Sequence, residues 1–179
     1  MKFLLENWKN FLIEKKDISG GRKLPLDVLD LLIKHYAKNP GGFITLKRGY
    51  FDFNDFRDKD LENDVAVYIA AAQMILININ KAQDKFGSIV RVMLHEIQHY
   101  NQHMRWNVDD QYREKLSQGY KLPPGKDIFE LDWIPTINFW EKIYPHEQRP
   151  HEVDAIKFAE EHVQEAAKMI KDREKELKK

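Results

Sequence analysis

Apolar residues recur along most of this chain at helical spacing, and in the second quarter they shift to the alternation of strands. Over residues 2–16, Leu4, Leu5, Trp8, Phe11 and Leu12 share one side, with Glu6, Lys9, Asn10, Glu14 and Lys15 opposite, which predicts an amphipathic helix within residues 1–17. It reads either as a helix docked on the core or as a docking element for a partner. A Gly-containing loop over 17–23 leads to Pro25, which suits the first turn of a second helix. Leu26, Leu29, Ile33 and Tyr36 form its stripe, and Asn39-Pro40-Gly41-Gly42 ends it. Residues 43–53 are strand-like with Gly49 as a bend or bulge. Residues 54–64 are charged and read as loop, and 65–72 suit a strand or a helix. Residues 74–80 read as a strand, with Ile75, Ile77 and Ile79 on one face and Asn78 and Asn80 on the other.

In the second half, Ser88 is placed to cap a helix whose apolar side is Ile89, Val92, Met93, Ile97 and Tyr100. Residues 107–132 are polar and contain Pro123-Pro124-Gly125, so they read as loop with a short helix near Tyr112. A long loop here is placed to shape a substrate cleft. Trp133, Phe139, Trp140 and Tyr144 predict a packed aromatic turn or short helix. Pro150 opens a last helix with Ile156, Ala159, Val163, Ala166 and Ile170 as its stripe, and 171–179 is a mixed-charge tail. The expected fold is α+β in one domain over 1–179: a small, mostly antiparallel sheet packed on the helix after Ser88 and on the C-terminal helix.

Composition narrows the chemistry. Lys+Arg and Asp+Glu both number 29, so net charge offers no reason to expect a nucleic acid or a membrane surface as partner. With no cysteine in the chain, disulfides, thiolate catalysis and cysteine zinc sites are excluded, and His, Asp and Glu must do any metal binding. No run approaches the ~20 apolar residues of a membrane span. Glu6, Asn7 and Lys9 interrupt any signal-peptide core. The expectation is a cytoplasmic protein.

The strongest chemical pattern is His95-Glu96-Ile97-Gln98-His99. On a helix, residues four apart share a face, so His95 and His99 can present two nitrogens to one metal ion while Glu96 reaches a water bound to it. That is the donor set of a zinc-dependent hydrolase lacking its third ligand. Later candidates are His103, His146, His151, Glu152 and Asp154. His103 lies two turns from His95, about 12 Å along the axis, and cannot easily close a tetrahedron. Glu152 extends the buried stripe of the last helix back one turn, where a carboxylate needs a balancing cation. Asp154 is rotated about 200° from it and is better placed to hold the second ring nitrogen of His95 or His99. Otherwise the two histidines are simply packed residues bonded to backbone.

His95-Glu96-Ile97-Gln98-His99, with Glu152-Val153-Asp154-Ala155 and Phe158-Ala159 downstream, resembles the zincin metallopeptidases, most closely the small gluzincins and the ImmA/IrrE-type peptidases. Similar small proteins occur in tailed phages, and Glu6 to Leu12 resembles N-terminal segments of assorted phage proteins. The resemblance implies a zincin-like fold with Zn2+ held by His95, His99 and Glu152, Glu96 as general base, and a protein or peptide substrate. The strand 74–80 is expected to offer a free edge to that substrate, and Tyr144, His146 or His151 to stabilise the oxyanion. The alternative is a non-enzymatic, virion-associated interaction protein that retains the metallopeptidase fold.

Overall fold

A computed structural model of the chain describes residues 25–51, 65–78 and 86–176. The amphipathic segment 1–17, the loop 17–23, the charged stretch 54–64, Ile79, Asn80 and the last three residues of the tail lie outside the described residues. The first helix, α1, runs Pro25–Tyr36, with Asp27 in its first turn and Lys34 and His35 in its last, each favourable to the helix dipole. Its end is tied down from elsewhere: Asn101 Nδ2 donates to Tyr36 O at 3.1 Å, and Asn101 Oδ1 accepts from the Lys38 N–H at 2.7 Å.

Three strands follow: β1 (Lys47–Phe51), β2 (Ala66–Ile69) and β3 (Met74–Asn78). Their order is β1-β3-β2, with β3 parallel to β1 and antiparallel to β2. The sheet is therefore mixed, not mostly antiparallel, and β3 is its centre, so the free edge expected on this strand is taken. The cause is visible in β3 itself. All five of its residues are buried; Ile75 and Ile77 join the main core and Met74 and Leu76 pack on the opposite face. A strand apolar on both faces belongs inside a sheet. Gly49 makes no bulge, since β1 pairs with β3 without interruption and Gly49 faces Leu76. A Cβ there would come within 3.1 Å of Leu76 Cδ2, so glycine allows a close approach. The ambiguous stretch 65–72 is both things in turn. Val67-Tyr68-Ile69 supplies the strand, and Ala70–Ala72 forms a 3-10 turn that returns through Gln73 at φ 49°.

The second helix, α2 (Phe86–Trp106), starts two residues before the expected cap. It is the centre of the molecule: Ile89, Val90, Met93, Leu94, Ile97, Tyr100 and Met104 all enter the main core beside Val28, Leu29 and Leu32 of α1. The Tyr100 hydroxyl also accepts from the Thr45 N–H at 3.1 Å.

Residues 107–132 are less of a loop than their polarity suggests. Helix α3 (Asp110–Ser117) is capped by Asp109, whose side chain accepts from the Tyr112 N–H, and a 3-10 turn spans Ile128–Glu130. Helix α4 (Trp133–Ile143) follows. Trp106, Tyr112, Leu116, Leu131, Trp133 and Trp140 form a second core. Inside it the indole N–H of Trp106 donates to Leu131 O at 2.7 Å, while Arg113 donates to Trp106 O and Phe129 O. Turn residues in the sequence concealed a segment held by aromatic anchors far apart in the chain. A last 3-10 turn, His146–Gln148, leads into α5 (Pro150–Glu176). This helix lies along α2, and its inward residues Ala155, Ala159 and Ala166 are small, which lets two helices pack closely. Among the described residues no helix is long and apolar enough to cross a membrane.

Candidate metal centre

The pairing of α2 with α5 sets the site. His95, Glu96 and His99 lie midway along α2, and Glu152 sits in the first turn of α5. Glu152, Ala155, Ala159, Ala166 and Ile170 form the buried stripe of α5, so the packing that buries the alanines delivers the carboxylate to the histidines. His95 Nε2 is 2.9 Å from His99 Nε2 and 3.0 Å from Glu152 Oε2, and His99 Nε2 is 3.5 Å from the same oxygen. The two rings meet edge to face at 4.5 Å.

These three atoms fit a metal ion. Donors about 2.0–2.1 Å from a tetrahedral zinc stand about 3.3 Å apart, so side-chain shifts of a few tenths of an ångström suffice. Glu152 Oε2 is buried and accepts no well-directed hydrogen bond, although imidazole nitrogens surround it. A buried acceptor left in this state is costly, and a cation bound by His95, His99 and Glu152 would satisfy it. Without a metal, a proton does part of that work. Burial alone would push His99 down, but the Glu152 carboxylate beside it and the charge of Glu96 outweigh burial and hold it up at about 9. Burial would likewise push Glu152 up, but the imidazoles of His151, His95 and His99 prevail and hold its carboxyl far below the usual carboxylate range.

The ring of His99 is oriented from behind by Gln102, whose Oε1 is 2.9 Å from His99 Nδ1. The same amide donates from Nε2 to His151 O at 2.8 Å and to Asp154 Oδ2 at 2.9 Å. Both of those partners can only accept, which fixes the amide orientation and places an acceptor at Nδ1. When neutral, His99 then carries its proton on Nδ1 and turns a bare Nε2 toward the site; below about 9 Nε2 is protonated as well. Asp154 therefore does not touch either histidine ring as expected. It stands one residue further back, gathering Gln102, Gln98 Nε2 at 2.7 Å and the Tyr112 hydroxyl at 3.4 Å. Gln102 is fully buried and was missed in the sequence, though a polar residue three positions after a metal-facing histidine shares its face. Replacing it with methionine, of similar length but without the acceptor, should weaken metal binding by about 10–100-fold with all three ligands present. Competition against a chelating dye measures this, and an unchanged affinity would refute the role.

Glu96 is buried, and its Oε2 accepts from the Tyr68 N–H of β2 at 2.6 Å. Burial raises its carboxyl above the ordinary value, opposed by the charges of His99 and His95 and by that N–H. Tyr68 reaches α2 a second time through its hydroxyl, 3.0 Å from His103 Nδ1. His103 stacks on Trp133 and stays outside the three-donor group. Of the oxyanion candidates, Tyr144 is engaged elsewhere, its hydroxyl accepting from the Lys121 N–H. His151 is buried with Nε2 3.3 Å from Glu152 Oε1 and its ring stacked on Trp140. His146 is exposed, with Nε2 3.5 Å from Glu152 Oε2.

No family model, curated protein or solved structure matches this chain.

Proposed function

We propose that this protein is a zinc-dependent peptidase of zincin-like fold, with zinc held by His95, His99 and Glu152 and with Glu96 as the general base. The observation that carries this reading is the convergence of two imidazole nitrogens from one helix and a buried carboxylate from another, with a second buried carboxylate beside them on the same helix as the imidazoles. When bound, zinc lowers the pKa of a coordinated water and polarises a carbonyl oxygen. Everything else falls to the chain. The Tyr68 N–H holds Glu96 through Oε2, leaving Oε1 to take a proton and return it to the leaving amine. Burial raises the Glu96 carboxyl above its ordinary value, which favours holding the proton between the two transfers. Gln102 holds His99 in the tautomer that keeps Nε2 free.

The experiment is hydrolysis of unfolded casein and of a mixed peptide pool by the full chain. Cleavage should stop on chelation and return with stoichiometric zinc. Cleavage indifferent to the chelator, or none from protein carrying one zinc per chain, counts against the proposal.

A further inference from the structure

We propose that His146 is a fourth, exchangeable ligand of this centre. The inference rests on the metal site proposed above and not on the peptidase activity. Three imidazole Nε2 atoms lie near the single oxygen Glu152 Oε2: His95 at 3.0 Å, His99 at 3.5 Å and His146 at 3.5 Å. His146 stands outside the group of mutually close donors formed by His95, His99 and Glu152, so its ring must turn inward to join them. The first two come from the buried helix α2 and their side chains are 18% and 13% exposed, whereas His146 is 62% exposed. His146 therefore approaches from the solvent side.

Its attachment suits a ligand that comes and goes. The 3-10 turn carrying it is pinned by backbone bonds, Gln148 N–H to Pro145 O and Arg149 N–H to His146 O. The Arg149 side chain adds bonds to Tyr144 O at 3.3 Å and Glu141 O at 3.4 Å. The backbone of His146 is thus held at the mouth of the site. Among the described residues its ring donates no hydrogen bond and stacks on no aromatic group, so it can turn toward the metal or away. His151, by contrast, is buried, stacked on Trp140 and directed at the other carboxylate oxygen. Four protein ligands make a closed centre and three leave a position open. With His146 as a fourth ligand the centre would be closed, and with its ring turned away His95, His99 and Glu152 would leave one position open.

Cobalt(II) in place of zinc in the full chain gives a readout separate from activity, because its visible spectrum reports the ligand set. His146→Ala should change that spectrum and weaken cobalt binding at least as much as the ~10-fold typical of losing even an orienting partner. Added imidazole should restore the wild-type spectrum. His146→Gln, which stays polar, should show the same loss. Spectra and affinities equal to wild type in both variants overturn the proposal. So does a His146→Ala chain that differs only in peptide cleavage, since His146 would then act on substrate. A His146-dependent spectrum in a chain that cuts no peptide supports the fourth ligand and defeats the peptidase reading instead.

Discussion

Glu152→Ala is expected to bring zinc content from one ion per chain to none at micromolar zinc, while Glu96→Gln keeps the zinc and loses hydrolysis by roughly 10²–10⁴-fold. The contrast follows from what each carboxylate touches. Glu152 Oε2 lies between His95 and His99, and removing it leaves two nitrogen ligands from one helix, too few for a stable centre. Glu96 meets the Tyr68 N–H, which a glutamine oxygen can still accept, so the β2–α2 contact survives and only proton transfer is lost. Elemental analysis and peptide hydrolysis on the two variants test both halves. Zinc retained by Glu152→Ala would remove α5 from the centre. Hydrolysis retained by Glu96→Gln would remove the base.

The second large effect is in pH. His99 is held at about 9, above its ordinary 6.5. A raised folded-state pKa stabilises the metal-free chain fully below about 6.5, and this stabilisation is lost as pH rises through about 9. Metal binding has the opposite slope, because the ion takes the nitrogen that carries the proton. Between those limits metal affinity should rise about tenfold per pH unit. At neutral pH each ion bound should release about one proton from His99. Calorimetry in buffers of different ionisation enthalpy counts that proton, and melting curves of metal-free protein give the other slope. Zinc uptake without proton release would mean that His99 is neutral before the metal arrives.

How far the chain disclosed all this depended on the range of the interactions involved. Pro25 and Pro150 mark helix starts by local sterics, and both helices begin there. The inward position of Glu152 was legible because helical phase is also local: the spacing that buries Ala159, Ala166 and Ile170 buries it too. The centre of the sheet was not legible, since which strand β3 pairs with on each side is decided across the fold. Gly49 was misread for the same reason, its close neighbour being Leu76. The 107–132 stretch was judged by its polar residues, while Trp106, Trp133 and Trp140 hold it from outside. Asp154 bonds neither histidine ring; Gln102, one layer nearer to His99, makes the contact expected of it.

The position of α2 divides rigidity unevenly around the site. This helix is walled by α1, β2, α3 and α5, so the backbone bearing His95, Glu96 and His99 has no fraying motion of its own and opens only when much of the core opens with it. Glu152 shares that fate through its packing on α2. A floor that opens only with the core and an exposed His146 side chain at its rim then lie within a few ångströms of each other, so motion at the rim need not loosen the buried groups.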